Sequence, residues 1–165
     1  MTRRPVLIMS ETAQATMFRA AAREHPCETG GILLGVYVDG QPWVTAAVEI
    51  SSVDRGRRHY KLPGGTTQAA VRNARKSDRR LGYLGDWHSH PSDVGPSSTD
   101  LMSLALISVK HPQKPNPTLV VVRATAAGHS LDAHRVVVVT PRKCEVTLAG
   151  DLPPPDPPSP QVRPR

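Results

Sequence analysis

Gly85-Asp86-Trp87-His88-Ser89-His90-Pro91-Ser92-Asp93-Val94-Gly95-Pro96-Ser97-Ser98-Thr99-Asp100, GDWHSHPSDVGPSSTD, is the stretch on which the reading of the fold turns. Leu81 to His90 reads as a strand, and Gly82 and Gly85 permit a bulge or a close backbone approach. Pro91, Gly95 and Pro96 then break the chain into a turn. Ser98 to Lys110 follows as a helix, with Leu101, Leu104, Ala105 and Ser108 on one face. Successive odd or even positions of a strand share a face. His88 and His90 therefore aim their imidazoles the same way, at the end of a strand that the chain leaves through a turn.

Outward from this unit the chain alternates between strand and helix. Pro5 to Met9 is a short strand, and Ser10 suits the N-cap of a helix over Glu11–Glu24. Pro26 closes that helix. Gly31 to Val38 and Trp43 to Ile50, joined at Asp39-Gly40, form a hairpin. Tyr60 and Leu62 fit a short strand, and Thr66 to Arg80 fits a second helix. Beyond the third helix, Pro112 to Pro117 is a breaker-rich loop. Strands are expected at Thr118–Arg123, Ser130–Thr140 and Lys143–Leu148. The order defines an α/β (α+β) domain, a mixed β-sheet flanked by helices.

The 165 residues suit one domain, placed at 1–150. From Pro153 the tail PPPDPPSPQVRPR has seven prolines in thirteen residues, so 151–165 is read as a disordered, polyproline-type end. Cys27 and Cys144 form no CxxC pattern, which excludes a four-cysteine zinc ribbon and a disulfide framework. No apolar run is long enough to span a membrane or to serve as a signal-peptide core, so the chain is read as cytoplasmic and soluble. The formal net charge is +7, and it is uneven. Nine Lys/Arg against two Asp between Asp54 and Gly82 give that segment +7, leaving the rest near neutral. Arg72, Arg75, Lys76 and Arg79 fall at helical spacing, one stripe whose default reading is a solvated helix face, with an acidic protein partner next and nucleic acid last, because aromatics are scarce.

Two histidines and a carboxylate at Asp100 fit three ligands of a zinc ion, with one tetrahedral position open. An open position activates water, and hydrolysis then needs a general base that is not itself a ligand. Ser97-x-x-Asp100 equally fits a helix cap, with the acid in the dipole-favoured first turn. The two readings are compatible.

These residues resemble a known family. HSHP with Ser97 and Asp100 is similar to the H-x-H-P-x(n)-S-x-x-D signature of the JAMM/MPN+ (JAB-type) zinc metalloproteases. Upstream, Glu28-Thr29-Gly30-Gly31-Ile32-Leu33-Leu34-Gly35 resembles that family's E-x-x-G-x-L-x-G. The resemblance spans residues 5 to 140 and implies an MPN/JAB-type, cytidine-deaminase-like fold. It implies that His88, His90 and Asp100 bind zinc. It further implies that Glu28 takes the proton of the attacking water and passes it to the leaving amine, while Ser97 steadies the oxyanion. Five residues separate Pro91 from Ser97 where many members have six, so neighbouring Ser98 is the alternative.

The resemblance also implies a substrate class. Family members cut the bond after the C-terminal tail of ubiquitin-like or other conjugated proteins, and some bacterial members travel with ubiquitin-type transfer enzymes. The tail would dock by strand addition beside the site. The short loop His111–Pro117 implies little linkage selectivity. The competing reading is a catalytically silent MPN-type scaffold; such relatives usually lack the histidines or the glutamate that this chain keeps.

Overall fold

A computed structural model of the chain describes residues 3–110 and 117–151. Their order is β1 (Val6–Ser10), α1 (Glu11–Glu24), β2 (Gly30–Val38), β3 (Gln41–Glu49), α2 (Thr66–Ala74), β4 (Gly82–His90), α3 (Ser98–Lys110), β5 (Thr118–Thr125), β6 (Gly128–Val137), β7 (Thr140–Lys143) and β8 (Glu145–Ala149). The architecture is the expected mixed α/β sheet with helices packed against it. The Pro-rich tail and the loop 111–116 lie outside the described residues, as does the selectivity argument built on that loop.

All eight strands join one sheet in the order β7-β6-β5-β4-β2-β3-β1-β8. β1 runs parallel to β3 and β8, and β4 parallel to β5; the other neighbours are antiparallel. β7 and β8 end the order on opposite sides, yet Cys144 alone separates them in sequence. The sheet is therefore rolled until its two edges meet. Two backbone bonds seal the seam, from the Cys144 N–H to the Ala133 carbonyl and from the Glu145 N–H to the Pro5 carbonyl, each 2.8 Å.

The rolled sheet packs against one face of α1. Ser10 caps this helix, its Oγ accepting from the Ala13 N–H at 3.1 Å. Ala13, Met17, Ala20 and Ala21 recur at helical spacing and are buried against Leu7, Leu33, Val44 and Trp87. Each fully buried side chain of the Met, Leu or Val class contributes roughly 1.5–3 kcal/mol. On the opposite face α3 lays Leu104 over Leu119, Val121 and Val136 in a smaller core. β4 runs between the two layers. Trp87 and Ser89 point to the inner core and are buried, as the strand period requires, which leaves His88 and His90 on the outer face.

Three expectations need correction. The second helix ends at Ala74, not Arg80, with Arg75 as its C-cap. Beyond it the chain turns, with Ser77 Oγ donating to the Ala74 carbonyl at 2.9 Å and Asp78 Oδ1 accepting from the Arg80 N–H at 3.0 Å. Arg72, Arg75, Lys76 and Arg79 are thus not one helical stripe. The long strand to Thr140 is instead a hairpin, β6 and β7, turning at Val138–Val139, with Val138 at φ 66°. The expected strand at Tyr60–Leu62 reduces to a single antiparallel bridge between Arg55 and Tyr60. Both cysteines are free thiols, and burial pushes that of Cys144 up to about 11.

Candidate metal centre

Local sequence rules place each side chain. His90 ends β4, and His88, two residues earlier on the same face, pairs across β2 with Gly30. The two Nε2 atoms stand 3.1 Å apart. His90 Nδ1 lies 2.9 Å from the Val94 carbonyl, which can only accept, so Nδ1 carries the proton and Nε2 presents its lone pair.

The turn then brings in Asp100 at the start of α3. Ser97 and Asp100 form a reciprocal cap: Ser97 Oγ accepts from the Asp100 N–H at 3.0 Å, and Asp100 Oδ2 accepts from the Ser97 N–H at 2.8 Å. That same Oδ2 lies 3.5 Å from His88 Nε2 and 3.7 Å from His90 Nε2. The cap and the cluster are one arrangement: the cap fixes the rotamer that aims the carboxylate at the histidines. Burial raises the Asp100 carboxyl, but the hydrogen bond and charge of His88, joined by hydrogen bonds from Ser97, outweigh it and hold the group well below the usual carboxylate range.

Glu28 completes the group from the other side. Its Oε1 is 3.8 Å from His90 Nε2, and its side chain is 7% exposed. Burial pushes its carboxyl up to about 7, against the opposing charge of His88 and with a smaller push from Asp100. Ser97 borders the same cleft, of about 620 Å³, whereas Ser98 is not part of its lining. A smaller cavity of about 200 Å³ adjoins it behind His88 and Asp100, bordered by Tyr60, Tyr83 and Asp86. Asp86 accepts a hydrogen bond from the Tyr83 hydroxyl at 2.8 Å. All five residues singled out in the sequence, Glu28, His88, His90, Ser97 and Asp100, thus meet at one cleft.

The donor set fits a metal ion. Nitrogen and oxygen ligands about 2.0–2.2 Å from a tetrahedral ion are separated from one another by roughly 3.4 Å. The three pairwise distances among His88, His90 and Asp100, 3.1, 3.5 and 3.7 Å, bracket that value. Among the described residues, this trio is the one group of three or more such side chains close enough to hold an ion.

Several positioning contacts were not foreseen in the sequence. Ser89, on the opposite face from the histidines, joins Thr29 to β4: its N–H donates to the Thr29 carbonyl at 2.8 Å and its Oγ accepts from the Thr29 N–H at 3.0 Å. Gly56 accepts from the Glu28 N–H at 2.7 Å, and Arg55 reaches the Glu28 carbonyl at 3.4 Å while pairing with Glu24 at 2.8 Å. Gly30 must lack a side chain, since a Cβ there would meet the Trp87 carbonyl oxygen at 2.4 Å and the Tyr60 ring at 2.8 Å. Gly30 falls on an unspecified position of the upstream motif, so neither it nor the loop contacts carried a signal.

Fold and site together define a JAB-type chain. Residues 10–138 match the family described as prokaryotic homologs of the JAB domain, and the chain belongs to that family. A relative named CD-NTase/cGAS isopeptidase, from Pseudomonas aeruginosa, is 31% identical over 104 residues, 61% of this chain and 65% of that protein, so the match spans slightly less than two thirds of the relative's length. The probable metalloprotease y4qB of Sinorhizobium fredii is 31% identical over 130 residues, covering 72% of this chain and 76% of its own length. The solution structure of a protein from Desulfitobacterium hafniense shares the fold, with a TM-score of 0.70 at 20% identity, over 88% of this chain and 94% of that one. No helix among the described residues is long and apolar enough to cross a membrane.

Proposed function

We propose that this chain is a zinc-dependent isopeptidase or peptidase that hydrolyses the bond after the C-terminal tail of a ubiquitin-like or other conjugated protein. One observation carries the reading: a buried carboxyl, Glu28, stands 3.8 Å from a ligand nitrogen of a three-donor cluster and is not needed as a fourth ligand. His88, His90 and Asp100 would hold a zinc ion, which when bound would supply Lewis acidity for the scissile carbonyl and lower the pKa of water.

The remaining work belongs to the chain. Glu28, buried and 3.8 Å from His90 Nε2, is placed to take a proton from the attacking water and deliver it to the leaving amine. The Ser97 hydroxyl borders the cleft beside Asp100, where it can turn to donate toward the charge that develops on the carbonyl oxygen. β2 and β4 have strand partners on both sides. An extended tail therefore adds to neither, and it would instead dock along the Arg57–Arg58 segment that borders the cleft. The relative named for isopeptidase activity supports a conjugated-protein substrate, and adjacent ubiquitin-type transfer enzymes would be its natural source.

The test is cleavage of a ubiquitin-like domain fused through its C-terminal tail to a reporter, with products identified by mass. The zinc-loaded chain should cut at the end of the tail, lose activity on chelation and regain it with zinc. Cleavage that persists unchanged in chelator would overturn the reading.

A further inference from the structure

The loop between β3 and α2 forms one wall of the cleft, and it is built as a rigid, basic hairpin. The Arg55–Tyr60 bridge closes it, with the Gly56 N–H donating to the His59 carbonyl and the Lys61 N–H to the Asp54 carbonyl, both at 2.9 Å. Three anchors hold it in place: the Glu28 N–H on Gly56, the Arg55–Glu24 ion pair, and the Tyr60 hydroxyl on the Ile50 carbonyl at 2.5 Å. Arg57 and Arg58 are its tip, and both line the cleft together with Glu28 and the histidines.

Their charge is not used by the fold. Arg55 is paired, but Arg57 and Arg58 make no hydrogen bond or ion pair among the described residues. The facing wall, Pro91, Ser92, Val94, Ser97 and Thr99, carries no charge. Glu28 and Asp100 are the lining carboxylates, and both are committed to the cluster. By contrast Arg72, Arg75, Lys76 and Arg79 do not line the cleft, and Arg75 Nε is turned back on the Arg79 carbonyl at 3.2 Å. A cleft with one neutral wall and two unpaired guanidiniums on the other favours a negatively charged occupant held against the second wall.

We infer that Arg57 and Arg58 determine specificity, selecting substrates that carry an acidic side chain in the extended segment occupying the cleft. The inference deepens the proposed peptidase reading and rests on it for the substrate's being a peptide. Guanidinium forks at the tip hold the carboxylate, and the choice is made within the cleft segment, not by the folded body of the substrate.

The test uses two labelled extended peptides of Gly, Ser and Leu, one with two central Glu and the other with Gln in their place. Binding is read by fluorescence anisotropy on the zinc-loaded full chain carrying Glu28→Gln. At low salt the Glu peptide should bind roughly tenfold tighter, a gap that shrinks as salt rises. Adding Arg57→Gln and Arg58→Gln should remove the gap with the melting temperature unchanged, while Arg72→Gln with Lys76→Gln should preserve it. No gap in the parent, or a gap that survives the tip variant, overturns the inference. Turnover of the same peptides by the wild type separates the two claims. An Arg-dependent gap in binding, with neither the peptides nor the ubiquitin-like fusion cut, would sink the peptidase reading alone. Equal kcat/KM for both peptides would sink the inference alone.

Discussion

Ser89 and Thr29 lie sixty residues apart, 89 − 29, and hold each other through the backbone and the Ser89 hydroxyl, with Ser89 Oγ 3.0 Å from the Thr29 nitrogen. Both are buried. One neighbour of Thr29 is Glu28, and Ser89 lies between the two histidines. The contact therefore ties the segment that carries the Glu28 carboxyl, just before β2, to the histidines of β4. It does so from the core side, where no ligand reaches.

Ser89→Ala should leave the Thr29 N–H buried without its hydroxyl acceptor, at a cost of about 1–3 kcal/mol in unfolding free energy. Urea unfolding measures that loss. Zinc stoichiometry should be retained while hydrolysis of a ubiquitin-like fusion falls, because Glu28 moves and the ligands do not. Full activity in a destabilised variant would show that this joint supports the fold without positioning Glu28.

Ser97 performs two tasks that can be separated. As a cap its Oγ serves the Asp100 N–H, so Ser97→Ala should lose about 1 kcal/mol of stability in metal-free protein. As a donor into the cleft its loss should lower kcat by roughly 10²–10³-fold. Ser97→Asp keeps an N-cap acceptor but has no hydroxyl donor, and should recover stability without activity. Thermal unfolding and steady-state kinetics on the two variants read the tasks independently.

The carboxyl of Glu28 makes a pH signature in the metal-free chain. Its folded value of about 7 lies above the ordinary glutamate value, so the folded state binds that proton more tightly. The stability it contributes is complete below the unfolded value and is lost as pH rises through about 7. Glu28→Gln cannot titrate there. Relative to Glu28→Gln, wild type should thus weaken steadily as pH climbs from the ordinary carboxylate range to neutrality, as urea midpoints in chelator would record. A constant difference across that window would place the carboxyl at its ordinary value.

How much of this was legible in the sequence follows from how local each signal is. Ser10, Pro26 and the alternation in GDWHSHP placed α1 and β4 because caps, breakers and strand period act within a few residues. The five residues that converge on the cleft were legible through two short motifs on adjacent strands and a helix start. Val138 was not: a run of β-branched residues argues for strand, and its turn at φ 66° is imposed by the return of the chain to the sheet. Helix α2 ends at Ala74, and Ser77 and Asp78 turn the chain beyond it with side-chain bonds to the Ala74 carbonyl and the Arg80 N–H, which a pattern of cations conceals. Arg55, Gly56 and Tyr60 act through a loop whose docking onto Glu28 depends on tertiary packing, and loop sequence carries no period to reveal it.

The central claim is that a metal cluster and a separate carboxyl act together. Its most direct test measures bound zinc and hydrolysis of a ubiquitin-like fusion side by side in wild type and Glu28→Ala. One zinc should be retained in both proteins, with the rate of the variant lower by roughly 10²–10⁴-fold. No bound zinc in either protein, or undiminished hydrolysis by Glu28→Ala, would contradict it.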